Sequence, residues 1–457
     1  MMHGHVAEQR MLQRTVIRIG CVRMITDITA VDADPDIVSE ITNTYDVMGV
    51  CGNSVDSETL EEAGVEKTDL FVAMTGSDEY NMLSCFLAKK LGASNTIARI
   101  RNPEYNDSSL AFLKHNLEIS MAINPELLAA KEMYNMLKLP QSVKVENFSR
   151  RNLEMIELRV TPEMNLDGLM VMKLREKIKA EFLICAVQRE DNLFVPDGHF
   201  VLHDNDKIGL ISSPNEVLKL FKILGIENKR AKNVMILGGS KTAYYLGKLI
   251  TNVGNSVKII EKDEARCESL STSLPRAIVI HGDGSQQELL LEEGISNIDA
   301  FVALTGMDEQ NILICTYASM NNVPKVITKI NREELAYMAE KIGLESLVST
   351  KEITSNILVS YARALQNSLG SNVETLYKVM DGMAEALEFN VSAESKVINI
   401  PLKDLSLKPN ILIAGITRGK KTILPSGYDV IMQGDRVIVL AANQRLQDLD
   451  DILDKQR

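Results

Sequence analysis

The sequence predicts an α/β protein made of two doubly wound parallel-sheet domains, each followed by a small strand-rich α+β domain. Three observations predict it: segments recur at an offset of about 230 residues, apolar runs alternate with helical stretches, and a glycine-rich turn separates one run from its helix. The repeat is plain in GNSVDSETLEEAG from Gly52 and GDGSQQELLLEEG from Gly282, and again in TDLFVAMTGSDEYN from Thr68 and IDAFVALTGMDEQN from Ile298. That offset exceeds any solenoid period and suits a duplicated two-domain unit. A second pair of segments repeats in step. FLICAVQR from Phe182, LFVPDG and DKIGLIS match NILIAGITR from Asn410, TILPSG and DRVIVLA, all short β-rich runs broken by Pro and Gly. The expected domains are residues 1–139, 140–225, 232–366 and 370–457.

The second half reads most clearly. Residues 234–237 form a continuous apolar run, as in a strand buried on both faces. Gly238, Gly239 and Ser240 follow, and residues 241–252 read as a helix with Tyr244, Leu246, Leu249 and Ile250 among its buried positions. Residues 257–260 make the next strand, ending at Glu261; residues 277–280 make a third, followed by His281, Gly282 and Asp283. Residues 287–293 suit a helix, 300–304 a fourth strand ending at Thr305 and Gly306, 311–320 a helix and 325–330 a fifth strand. Strands alternating with helices mean βαβ units and a parallel sheet.

The turn VMILGGSKTAYYLG has the form of a Rossmann-type dinucleotide fingerprint, with G-x-G-x-x-G rendered as Gly238, Gly239, Ser240, Lys241, Thr242 and Ala243. The first glycine permits a tight turn, the second lets backbone approach a pyrophosphate, and Ala is an accepted last residue. The helix behind presents unpaired N–H groups and a positive dipole end to phosphates. Ser240 departs from the pattern, and its Cβ is expected to crowd the phosphates. Lys241 reads as a first-turn solvent residue or a phosphate contact. Glu261 lies about 20 residues on, at a strand end, where a carboxylate accepts ribose hydroxyls and disfavours a 2′-phosphate.

The first half keeps the frame but not the turn. Residues 28–31 lead to Asp32, which aligns with Glu261; Gly52 and Asn53 align with Gly282 and Asp283; residues 70–74 lead to Thr75 and Gly76; residues 96–99 end on Arg99 where the second half has Lys329. Residues 1–26 hold Gly20 where a glycine-rich loop is needed and no G-x-G. The length is right and the residues are wrong, as expected of a stretch read out of frame between compensating shifts, or of drift. The first half is therefore expected to hold a dinucleotide poorly.

Composition narrows the function. A net charge of −12 argues against a nucleic-acid partner. Six scattered cysteines without a C-x-x-C pair read as reduced thiols, not as zinc ligands or disulfides. No long apolar run and no secretory leader are present, so a cytoplasmic chain is expected. Asp197, His199 and His203 are close in sequence but read as loop polarity. The six histidines have no catalytic context, and His281 reads as a packing or capping residue, so a dehydrogenase is the weaker alternative.

Duplicated α/β units with TGSDEYNML and TGMDEQNIL after the fourth strand, ARIRNPEY after the fifth, and VMILGGSKTAYYLGKLI with IIEKD resemble the peripheral NAD-binding subunits of Trk potassium-uptake systems. Their modules are RCK (or KTN) domains, each followed by a small Trk C-terminal domain. The resemblance covers the chain from Asp27 onward. It implies a cytosolic regulator rather than an enzyme, peripheral on the cytoplasmic face of the membrane. It also implies a homo-oligomeric ring beneath a potassium-translocating membrane subunit, gated through NAD or NADH, with ATP or ADP as alternatives. Carried over, the site is Gly238, Gly239, Ser240, Lys241, Thr242, Ala243, Glu261, Asp283 and Thr305, with Asp32, Thr75, Gly76 and Arg99 as first-half counterparts; Asn53 stands in place of the acid at Asp283. Thr75 and Thr305 also read as helix N-caps, and Arg99 and Lys329 either as phosphate-neutralising groups or as solvated strand-end charges. Regulation of another cation channel or antiporter is the other alternative.

Overall fold

The computed structural model describes residues 27–105, 107–139, 143–148, 153–226, 230–367, 373–380, 382–419, 421–442, 444, 446 and 448–454. The segment 1–26, where the glycine-rich pattern is expected, lies outside them. The contacts divide the chain into two compact units: residues up to Lys131 with Gly239–Leu249 and Ser349–Ser355, and the remainder.

In the first unit, β1 (Thr29–Asp32) pairs in parallel with β2 (Met48–Cys51), and β3 (Leu70–Ala73), β4 (Asn95–Arg99) and β5 (Met121–Ile123) form a second parallel group. The helices are α1 (Pro35–Thr44), α2 (Ser57–Glu62), α3 (Asp78–Leu91), α4 (Asp107–Asn116) and α5 (Pro125–Met136), whose last turn belongs to the second unit. The ends of α3 follow from its sequence. Ser77 accepts the Tyr80 N–H as N-cap, Asp78 and Glu79 meet the positive dipole end, Lys89 and Lys90 meet the negative end, and Gly92 stops it at φ 125°. The apolar faces of α2 and α3 close over the strands through Leu60, Cys85 and Ala88, all fully buried.

The second unit begins with an antiparallel sheet of β6 (Val143–Phe148), β7 (Leu153–Arg159), β8 (Phe182–Arg189), β9 (Asn192–Phe194) and β10 (Lys207–Ser212) in the order β6-β7-β10-β8-β9, with α6 (Val171–Lys177) and α7 (Pro214–Ile223). Next comes a six-stranded parallel sheet of β11 (Asn233–Leu237), β12 (Ser256–Glu261), β13 (Ile278–His281), β14 (Ala300–Ala303), β15 (Val326–Lys329) and β16 (Ser346–Val348). Its order, β13-β12-β11-β14-β15-β16, is the 3-2-1-4-5-6 of doubly wound dinucleotide folds. Its helices are α9 (Glu264–Ser273), α10 (Gln287–Glu292), α11 (Asp308–Met320) and α12 (Glu333–Lys341), while α8 (Lys241–Asn252), up to Leu249, and the first residues of α13 (Thr350–Asn367), up to Ser355, fall in the first unit. The continuous apolar runs are explained: every residue of β14, and four of five in β11, is buried, as parallel strands covered on both faces must be. A second antiparallel sheet of β17 (Val373–Val379), β18 (Ala384–Asn390), β19 (Ile411–Arg418), β20 (Lys421–Ile423) and β21 (Arg436–Ala442) ends the chain in the order β17-β18-β21-β19-β20.

The two antiparallel sheets share their strand order and one irregularity. The ladder slips between Gly209 and Leu210 opposite Ile184 and Ala186, and between Ile413 and Gly415 in the second sheet, so Cys185 and Ala414 are equivalent bulge residues. One face of the first sheet packs on its own helices through Leu174, Leu220 and Phe221. The other face contributes Met155, Cys185 and Ile211 to a core shared with Met380, Ala386 and Leu440 of the second sheet. Within that shared core the buried Glu157 carboxylate accepts the Met380 N–H at 2.7 Å and pairs with the Lys207 ammonium at 3.0 Å.

Lys325, at the start of β15, is 5% exposed and donates to the carbonyl of Met136 at the end of α5, where a cation offsets the helix dipole. Burial pushes its pKa down to about 8, from 10.5. Between those values the unfolded chain binds the extra proton, so the folded state gains stability as pH rises through the window. Thermal unfolding followed from pH 7.5 to 10 should show that gain, on the order of 2 kcal/mol, and Lys325→Met should abolish it.

Candidate functional site

The carboxyl ends of β13, β12, β11 and β14 carry Asp283, Glu261, Gly238 and Thr305 in that order across the sheet. The chain reverses direction across the sheet between β11 and β14, the place where open α/β sheets hold ligands. Gly238 sits at φ 93°, and a Cβ there would lie 3.0 Å from the carbonyl carbon of Leu304. Its N–H donates to Ile260 O at 2.8 Å, so the turn is held flat against the sheet. Both reasons call for glycine: L-residues resist that φ, and the neighbour is backbone. The next residues, Gly239 to Ala243, run into α8, in which Thr242, Ala243, Leu246 and Ile250 are buried, Tyr244 and Leu249 half-buried, and Lys241 is exposed.

Ser240, expected to crowd a phosphate, has another local task. Its hydroxyl accepts the Ala243 N–H at 3.3 Å, as an N-cap does. The departure from glycine satisfies one orphan amide of α8.

Glu261 is 8% exposed, and its Oε1 accepts the Asp263 N–H at 2.9 Å, which fixes the carboxylate at the strand end. Asp32 repeats this bond with the Asp34 N–H at 2.9 Å. Asp283 is exposed and accepts the Ser285 N–H at 2.9 Å, a bond that holds its pKa below the usual carboxylate value. Asn53 makes the matching turn with the Val55 N–H at 3.1 Å. The acid positions therefore share one backbone geometry in both halves.

The reading of Thr75 and Thr305 as N-caps is corrected. Ser77 caps α3, and Met307 occupies the cap position of α11 without a side-chain bond. Thr305 instead belongs to a clamp around Asn311, a fully buried residue. Asn311 Oδ1 accepts the Thr305 N–H at 3.0 Å and its hydroxyl at 2.7 Å, while Nδ2 donates to Thr305 O at 3.3 Å and Lys329 O at 2.9 Å. Thr75, Asn81 and Arg99 repeat it at 2.7, 2.8, 3.2 and 2.9 Å. The acid of T-G-x-D-E-x-N completes the device. Asp308 accepts the N–H groups of Asn331 and Arg332 at 3.0 Å each, and Asp78 those of Arg101 and Asn102 at 2.8 and 2.7 Å. The motif thus ties two neighbouring strand ends and a helix start together.

Arg99 is not a solvated strand-end charge. It is 8% exposed, donates to the carbonyl of Thr75, and burial pushes its pKa down to about 10. Gly76 and Lys329 lie beside these clamps, exposed and half-buried respectively. His281 is exposed with Nε2 at 3.1 Å from Lys262 O. His203 Nδ1 meets Asp167 at 3.0 Å, and among the described residues no group of three His, Cys, Asp or Glu could hold a metal. Sequence reasoning also missed a repeated pair in the small domains. Asp206 and Asp435, each 1% exposed, accept two bonds from Arg189 (2.8 and 2.8 Å) and Arg418 (2.9 and 2.7 Å). The signal was present: each Arg closes the first β-rich run quoted above, and each Asp opens the third.

Fold and site together define a duplicated dinucleotide-fold protein whose α/β domains are each followed by a small antiparallel domain. The TrkA-N domain model matches residues 14–125 and 234–350, and the TrkA-C domain model matches residues 155–225 and 386–454. The chain belongs to the family of Trk system potassium uptake proteins TrkA. It is similar to the TrkA homolog of Archaeoglobus fulgidus, 32% identical with 90% of this chain and 92% of that one covered. It is 30% identical to homolog 1 of Methanosarcina mazei (91% and 92% covered) and 29% identical to TrkA of Vibrio alginolyticus (92% and 91% covered). The first TrkA-N match begins at residue 14, so it takes in part of the anomalous segment 1–26. Among solved structures, the GsuK RCK domain superposes with a TM-score of 0.58 at 16% identity, covering 91% of this chain and 87% of that one. The GsuK channel bound to NAD gives 0.58 at 16% identity, covering 91% and 72%, and both likenesses speak to fold. No described helix is long and apolar enough to cross a membrane.

Proposed function

We propose that this chain is a cytosolic, nucleotide-sensing regulatory subunit of a Trk-type potassium uptake system. It binds NAD or NADH in its second α/β domain, with ATP or ADP as competitors. The observation that supports this best is the glycine turn at Gly238, followed by α8 and flanked by the buried carboxylate of Glu261. The amides from Gly239 to Ala243 and the start of α8 meet the diphosphate. Glu261 accepts ribose hydroxyls, Asp283 and Thr305 line the rim, and the first-half residues Asp32, Thr75, Gly76 and Arg99 form the weaker counterpart. The names carried by its relatives support a potassium-translocating membrane subunit as partner, reached on the cytoplasmic face by a homo-oligomeric ring. Gating requires that nucleotide bind one ring shape more tightly than the other.

Calorimetry of the purified chain with NADH, NAD, ATP and ADP tests the reading. One site per chain is expected, and Glu261→Ala should weaken NADH by about tenfold, the loss of a charge-assisted hydrogen bond. A chain that binds none of the four overturns it.

A further inference from the structure

The start of α8 is anchored by contacts that the nucleotide reading does not use. Residues Gly239–Leu249 fall in the first compact unit, and within that unit Tyr245 is half-buried. Its hydroxyl donates to the carbonyl of Arg101 at 2.9 Å and accepts from the Asn124 side-chain amide at 2.9 Å. Both partners are themselves fixed. The Arg101 guanidinium lies 3.5 Å from Asp78 and 3.7 Å from Glu126, and the Arg101 backbone N–H donates to Asp78 at 2.8 Å. Asn124 caps α5 by accepting the Leu127 N–H at 2.9 Å. Burial pushes the Tyr245 pKa up, so the hydroxyl keeps the proton it donates. Glu79, which the Ser77 hydroxyl, its own backbone N–H and the Tyr105 hydroxyl hold below the usual carboxylate value, also feels the Lys241 ammonium at the first position of α8. Tyr245 lies two residues after Ala243, within the first two turns of α8.

We propose that Tyr245 is a positioning residue: held between Arg101 and Asn124, it fixes the orientation of the first turn of α8 and so sets how well the amides of Gly239 to Ala243 meet a diphosphate. A helix N-terminus binds an anion well only when its N–H groups are already aimed, because reorienting them on binding subtracts from affinity. Freed of its anchor, that turn has more orientations available, and each is sampled at the expense of the aimed one. The inference rests on the nucleotide reading above and adds the group that preorganises it.

The test compares NADH, ADP and adenosine on the full chain and on Tyr245→Phe, which keeps the ring and removes the hydroxyl. ADP and NADH should weaken by about three- to tenfold, the range of a lost internal hydrogen bond, while adenosine, which has no diphosphate, is unchanged. Asn124→Ser keeps a cap for α5 but is too short to reach the phenol. It should give a similar loss, and the double variant no more than the larger single loss. Unchanged ADP affinity in Tyr245→Phe, with the wild-type chain binding ADP, overturns this proposal alone, as does equal weakening of adenosine. A wild-type chain that binds neither ADP nor NADH overturns the nucleotide reading as well.

Discussion

Replacing Asn311 by Ala should lower the melting temperature by several degrees, a loss of about 3 kcal/mol. The side chain is fully buried and makes four hydrogen bonds to Thr305 and Lys329. Ala removes all four and takes the Asn partner from the Thr305 N–H and the Lys329 carbonyl at half-buried strand ends. Each stranded group costs about 1–3 kcal/mol, more than the same bond adds when it is made. Asn311→Asp separates the donor from the acceptor role. It retains the acceptor for Thr305 but turns a carboxylate oxygen toward the carbonyl of Lys329, so it should be no milder than Ala. Thr305→Val, which loses the hydroxyl alone, should cost about 1 kcal/mol. A chain of several domains need not unfold in one step, so the measurement is the transition reported by hydrogen exchange of β14 and β15. A melting curve for Asn311→Ala that overlays the wild type would show that the Asn network is not what joins these strand ends.

This clamp also marks how far the sequence could be read. Thr305 looked like a cap, and Asp308 lies in the first turn of α11, where acids usually act on the helix dipole. Their role here depends on Asn311 and on backbone from the next strand, and no local pattern reports a partner about twenty residues away. The parallel sheet was legible because β11 and β14 are buried on both faces and so read as unbroken apolar runs. β16 has three residues, too few for any period, and α9 buries only Cys267 and Leu270, so neither announced itself. The small domains read as strand-rich from their turns. That β7 and β8 are buried almost throughout follows from the second sheet lying against them, a fact of assembly and not of local composition. That Gly238 and Glu261 stand at neighbouring strand ends was legible through motif and spacing, whereas Asp283 entered only through the family resemblance. Ser240 was not, because a hydroxyl that departs from the glycine pattern and a hydroxyl that caps the helix are the same residue seen with and without Ala243.

Gly238→Val should weaken NADH by about a hundredfold while leaving the chain folded. Two penalties coincide at that position. A β-branched residue at φ 93° costs on the order of 1–3 kcal/mol. Its Cβ would also approach the Leu304 carbonyl carbon and oxygen to 3.0 Å, and because these are backbone atoms of an interior strand end they cannot swing aside. The turn can escape both by lifting off β14, and that motion is local, since the strands on either side keep their ladders. The displaced turn no longer brings the amides of Gly239 to Ala243 to the diphosphate, so the strain reappears as lost affinity, with each 1.4 kcal/mol worth a factor of ten. Gly238→Ala meets the same Cβ contact without the branch and should lie between Val and the wild type. Circular dichroism and melting curves near those of the parent would separate this outcome from unfolding. Wild-type affinity in a folded Gly238→Val chain would show that nucleotide, if held, is held by something other than this turn.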